Sequence, residues 1–186
     1  MILGSLSVAL QNSASGAVAA GGTVAVIVTD NAATAAIGSG SEITSENGAI
    51  NVAAQNDELL LSLLASASAA AAAASGAGTV NVLVTNAEAL ASVGDAAKLA
   101  AKNAVNVLAS GESKLIGVQL AAAGASSGKP AAGGTILVNV FNRTNSATIG
   151  DDADILSETD SVLVDAYSDE KTIMVSLAGA ASDTGA

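Results

Sequence analysis

Residues 59–80 read LLLSLLASASAAAAAASGAGTV, and the conformation of this stretch decides the fold. Leu59 to Ala74 is small or apolar, broken only by Ser62, Ser66 and Ser68. Alone it is a good helix candidate, since Leu and Ala lead the helix-propensity scale. It is too short for a comfortable membrane span, which needs about 20 residues. Two equivalent stretches decide between helix and strand: LIGVQLAAAGA from Leu115 and TIMVSLAGAAS from Thr172. They carry Gly117, Gly124, Val175 and Gly179, and they share an alternating apolar stretch followed by an Ala/Gly/Ser tail. A structural repeat keeps one conformation in all its copies, so Leu59 to Ala69 is expected to be extended.

The equivalence comes from a repeat. GGTVAVIVTDNAATAAIGSGSEIT begins at Gly21, GAGTVNVLVTNAEALASVGDAAKLA at Gly76 and GGTILVNVFNRTNSATIGDDADIL at Gly133. Thr23, Thr79 and Thr135 are 56 residues apart, as are Gly38, Gly94 and Gly150, and Ile37, Val93 and Ile149. The downstream halves match within one residue of slippage. The chain therefore reads as one solenoid segment with a partial unit over 1–20 and units over 21–76, 77–132 and 133–186.

Each unit is written in period two. Val24, Val26 and Val28 alternate with Thr23, Ala25 and Ile27, which puts one set on each face of a strand. β-Branched content favours strand over helix. The expected arrangement has Val26, Val82 and Val138 pointing inward and stacked near one axis. Clusters such as GSGS, SENG, GDDAD and YSDE read as turns. Units of this kind cannot bury their own apolar faces, so they stack. The fold class is all-β: a parallel β-helix or β-solenoid of about three 56-residue repeats. Five or six short strands per unit suit two or three coils, in a slender cross-section where Ala fills narrow corners. Asp30, Asn86 and Asn142, at equivalent positions, read as three exposed turn residues that do not touch, with a polar stack at the turn as the alternative.

Composition narrows the chemistry. The chain has 186 residues, with no Cys, no His and no Trp, one Phe and one Tyr. Thiol chemistry, disulfides, imidazole bases and the commonest zinc ligands are thereby removed. The net charge of −11, from 17 acids against 6 bases, disfavours nucleic acid and anionic membrane surfaces as partners. The absence of Cys fits a secreted protein that needs no redox control, but cytosolic proteins can also lack Cys. The charge is uneven: the unit over 21–76 holds five acids and no bases, 77–132 three acids and four lysines, and 133–186 nine acids and two bases. A solvated outer face accounts for most of this; Lys98 or Lys102 packing on an acidic neighbour in a fibre is the alternative.

The stretch GGTVAVIVTDNAATAAIGSGSEITSENGAINVAAQ, from Gly21 to Gln55, resembles the repeats of filamentous-haemagglutinin-like and autotransporter-type large bacterial adhesins. The resemblance covers nearly the whole chain. It implies a right-handed β-helix stalk exported to the bacterial cell surface, and hence an extracellular structural or adhesive segment. The alternative is a binding module whose flat face recognises a glycan or host protein directly. The partners expected are neighbouring repeats of a longer chain, end-to-end copies of itself, and a host-surface or glycan receptor. No nucleic acid partner and no membrane span are expected. MILGSLSVAL enters in mid-unit and SLAGAASDTGA leaves where the next unit would begin, so both ends read as cut surfaces.

Few residues suggest chemistry. Asp151, Asp152 and Asp154 form the densest acidic group. They read as a solvated acidic turn, with calcium as the alternative because calcium takes carboxylate and carbonyl oxygens. Folding is expected not to require calcium. Phe141, Arg143 and Tyr167 are the candidates for a contact surface, since Tyr and Arg are favoured in binding hot spots. Asn142-Arg143-Thr144 is a glycosylation sequon that reads as chance. No cofactor and no catalytic residue is expected, because the serines lack a His and the carboxylates lack aromatic platforms for a sugar.

Overall fold

The computed structural model describes residues 2–13, 18–71, 73–126 and 128–183, with only the backbone of residues 2–4. One 56-residue unit makes one coil. The first coil runs through β2 (Ala19–Ile37), β3 (Glu42–Ser45) and β4 (Ile50–Ala70). The second runs through β5 (Ser75–Val93), β6 (Lys98–Ala101) and β7 (Val105–Ala125), and the third through β8 (Ala131–Ile149), β9 (Asp154–Ser157) and β10 (Val162–Ser182). β1 (Ile2–Ser13) lies on the Leu59–Ala70 half of β4. Three parallel sheets result: sheet A in the order β1-β4-β7-β10, sheet B in the order β2-β5-β8 and sheet C in the order β3-β6-β9. Leu59 to Ala69 is extended within β4, as the repeat requires.

The slender, multi-coil reading of each unit is corrected. Strands of 19 and 21 residues make each coil about 65 Å wide at ~3.3 Å per residue. Three of the four polar clusters do turn the chain, at 38–41, 45–48 and 150–154, but Tyr167-Ser168-Asp169-Glu170 runs straight through β10. Its side chains alternate between faces, so it needs no turn. Asp30, Asn86 and Asn142 likewise sit inside β2, β5 and β8 rather than at a turn. They do stack in register, and Asn142 Nδ2 donates to Asn86 Oδ1 at 2.9 Å.

The corners that join the long strands to sheet C also stack. Gly40, Ala96 and Asp152 occupy equivalent places, with φ of 68°, 53° and 57°. Gly40 N–H donates to the Asp95 carbonyl and Ala96 N–H to the Asp151 carbonyl, each at 2.8 Å. A Cβ at Gly94 would lie 2.5 Å from Ser39 N, so this close approach explains a glycine there.

The interior changes along the strands. Near sheet C the coil is a prism filled by Ile50, Val52, Val93, Leu99, Val105 and Val107. Midway, Leu60, Leu83 and Leu115 pack with Ile27, Phe141 and Met174. Beyond them sheets A and B close on small residues, with Ala77, Ala121 and Ala123 in contact. The expected facing of the valines is reversed here. Thr23 and Ala25 are buried, whereas Val24, Val26 and Val28 are 63–69% exposed and Val138 is 42% exposed. The sheets lie too close for a valine row: a Cβ at Gly21 would already sit 2.7 Å from the Ala67 carbonyl oxygen. Because the side-chain period is two, the small set turns in and the whole large set turns out.

Candidate functional site

Three groups of polar residues are built by the stacking. The first is at sheet C. Glu42, Lys98 and Asp154 are register neighbours on β3, β6 and β9. Glu46, Lys102 and Glu158 repeat the pattern in the link that follows, at 56-residue spacing, and Lys102 Nζ lies 2.7 Å from Glu158 Oε2. The lysines of the middle coil are thus set between acids of the coils on either side. This accounts for two of the middle unit's four lysines, and it places the acidic neighbours of Lys98 and Lys102 within the chain. Such exposed pairs each contribute about 0.2–1 kcal/mol, so they select a neighbour more than they hold it.

The second group lies on the outer face of sheet A. Asp57, Glu112 and Asp169 form one in-register row, and Lys114 and Lys171 stand beside it. Lys171 Nζ pairs with Asp169 Oδ2 at 2.8 Å. That hydrogen bond, and then the charge of the same carboxylate, raise the Lys171 ammonium above its ordinary value.

The third group is inside, between the prism and the leucine cluster. In the first coil Asn31 Nδ2 donates to Glu58 Oε1 at 3.1 Å. Asn56 Nδ2 donates to the carbonyls of Asn31 and Glu88. In the third coil Arg143 Nε lies 3.4 Å from Glu170 Oε1, and the Arg143 side chain is only 6% exposed. The second coil has Ala87, Gly111 and Ser113 at this level, and Gly111 leaves the space that the guanidinium takes. Arg143 Nη1 and Nη2, Glu58 Oε2 and Ser113 Oγ have no hydrogen-bond partner among the described residues. A buried pair of this kind contributes little net stability, because desolvation opposes the attraction. Its effect is on which coils fit together.

The residues singled out from the sequence do not converge. Phe141 packs inward on the leucine cluster, Arg143 points into the polar layer, and Tyr167 stands half exposed on the outer face of sheet A. The three therefore share no surface. Asp151, Asp152 and Asp154 line the corner of the third coil. Asp151 N–H donates to Asp95 Oδ1 at 3.0 Å, Asp152 takes the positive φ, and Asp154 opens β9 beside Lys98. No group of three or more His, Cys, Asp or Glu is arranged to hold a metal ion among the described residues. The sequence reading gave Lys98 and Lys102 acidic neighbours only as an alternative and only across a fibre, although the signal for neighbours within the chain was available. Positions 42, 98 and 154, and 46, 102 and 158, alternate in sign at the repeat spacing.

Fold and columns together define a parallel β-solenoid of three in-register repeats. No family model matches the chain, and no curated protein or solved structure is significantly similar to it.

Proposed function

We propose that the chain is a structural segment of a long extracellular solenoid, of the kind found in filamentous-haemagglutinin-like adhesins, that carries or displays an adhesive region. The observation that supports this most is the register of the stack. Every strand of one coil is the template for the equivalent strand of the next, across all three sheets. β8, β9 and β10 offer the same edges to a further coil, and unpaired strand edges attract a matching strand. Neighbouring repeats of a longer chain are the partners that fit best. A coil carrying Lys or Arg below Asp154 and Glu158 would continue the alternation of charge. A second copy stacked end to end is the other occupant, although its β1 already covers half of the β4 edge that β10 would pair with.

A second reading, in which a flat face binds a receptor directly, is favoured by the aliphatic outer face of sheet A. Leu61, Ile173, Val175 and Leu177 are 40–62% exposed there. Such a face suits a protein better than a glycan. Electron microscopy of the chain and of longer tandem repeats tests the first reading: objects that lengthen by a fixed increment per added unit at constant width are expected. A fixed-size particle, or tight binding of this chain alone on a panel of host proteins and glycans, would overturn it in favour of the second.

A further inference from the structure

The outer face of sheet B carries a grid with a self-matching pattern. Its central column is Val26, Val82 and Val138. On one side lies Val24, Val80 and Ile136, and on the other Val28, Val84 and Val140. Two residues further out on the first side are Gly22, Gly78 and Gly134, and on the second Asp30, Asn86 and Asn142. The next columns are Ala20, Gly76 and Ala132 against Ala32, Glu88 and Thr144.

The glycine column is unexplained by the chain's own packing. A Cβ at Gly22 or Gly78 would meet nothing closer than 3.7 Å, and one at Gly134 nothing within 4 Å. None of the three has a positive φ. Glycine within a strand weakens it, and it often marks the close approach of something else. Beneath the grid the usual order is inverted: Thr79, Asn81, Ser62 and Gln119 are fully buried while the valines face out.

We propose that this face pairs with the same face of a second copy, about a two-fold axis parallel to the coil axis over the Val26–Val82–Val138 column. This operation sets residue 24 over 28, 22 over 30 and 20 over 32, and their equivalents in each coil. Every polar side chain of the second column then faces a glycine: Asp30 on Gly22, Asn86 on Gly78 and Asn142 on Gly134. Glu88, the longest, faces Gly76. The two charged side chains in the overlap, Asp30 and Glu88, therefore meet glycines rather than each other, and valine meets valine at the centre. Such an isologous contact closes as a dimer. Thirteen residues across three strands cover roughly 600 Å² per copy at ~3.3 Å by ~4.8 Å per residue. A standard interface takes about 800 Å² per partner, and each further coil adds about 200 Å². A lipid surface fits less well, because the free edges of the outer coils would enter hydrocarbon with unpaired N–H and C=O groups.

The test is sedimentation equilibrium with small-angle scattering on the 186-residue chain and three variants. The wild type is expected to form a dimer with concentration, its thickness doubled and its length along the coil axis unchanged. Gly22→Thr/Gly78→Thr/Gly134→Thr fills the groove and is expected to weaken the dimer by about tenfold or more, with a melting temperature equal or higher. Val82→Asp is expected to do the same without loss of strand signal. Val118→Asp, on the outer face of sheet A, is expected to leave the dimer intact. A monomer at every concentration, a dimer indifferent to the glycine substitutions, or one lost only with Val118→Asp would overturn the proposal. End-to-end growth in length is read separately and would point to the coil edges. Binding to phosphatidylcholine vesicles that Val82→Asp abolishes, without a dimer, would overturn it in favour of a lipid surface.

Discussion

Ala96 is held at a φ of 53°, in the corner place that Gly40 fills one coil above at 68°. A left-handed conformation costs a residue with a Cβ roughly 1–2 kcal/mol, because the Cβ crowds the following carbonyl. Replacing Ala96 with Gly removes that cost. It also loosens the unfolded chain, which returns about 0.4–1 kcal/mol. The net gain is about 0.5–1 kcal/mol. For 186 residues, an unfolding entropy of ~2.1 cal/mol/K per residue is about 0.4 kcal/mol/K in total. Ala96→Gly is therefore expected to raise the melting temperature by about 1–3 °C. Gly40→Ala is the converse. A Cβ there meets nothing within 4 Å, so its cost is conformational alone and a drop of about 1–3 °C is expected. Both are read by thermal melts followed by circular dichroism at one concentration. Asp152→Gly should gain less, since Asp tolerates this region better than Ala does. Shifts of the same sign for Ala96→Gly and Gly40→Ala would refute the reasoning, because the corners would then not be equivalent.

Leu83 is 1% exposed and its neighbour Val82 faces out. Leu83→Asp is expected to cost several kcal/mol, as an unpaired buried charge does, and Val82→Asp under about 1 kcal/mol; equal losses in urea melts would overturn the assignment of faces. Gly111→Ala is expected to destabilise by pressing on the Arg143 guanidinium, and less so when Arg143 is also Ala. A double-mutant cycle with no coupling would place the guanidinium elsewhere. Lys171 is expected to titrate above 10.5 by NMR of its Nζ, and to move toward that value in Asp169→Asn. The raised value means that its contribution to stability is present below the unfolded pKa and is lost as pH rises through the folded one.

The 56-residue period was fully legible, and with it the parallel pairing, because a repeat that cannot bury its own face has to stack on its neighbour. The extended state of Leu59 to Ala69 followed from its two counterparts. The facing of the strands was not legible. In Thr23-Val24-Ala25-Val26-Ile27-Val28 both alternate sets are largely apolar, so the pattern alone permits either register. The distance between sheets decides it, and that distance is set by Gly21 and Ala67, far apart in sequence. Strand length was misread for a related reason. Asn, Asp and Glu signal a turn only where the backbone turns, and Asp30, Asn86, Asn142 and Asp169-Glu170 lie instead within straight strands. A column of charge at sheet C was visible as a spacing but acquired meaning only once the coils were known to contain one unit each.

The one-unit coil has a mechanical consequence. Along the coil axis, adjacent coils are joined by rows of backbone hydrogen bonds over strands of 19, 4 and 21 residues, but by a single covalent crossing. A load spread over a whole coil must break those rows together. A load applied through the chain itself peels the outermost strand off its neighbour one bond at a time. Each coil that comes away frees 56 residues, about 190 Å of slack at ~3.4 Å per residue. The coils beneath keep their pairing. Such a stack yields in long steps under tension and is held by the coils that have not yet unwound.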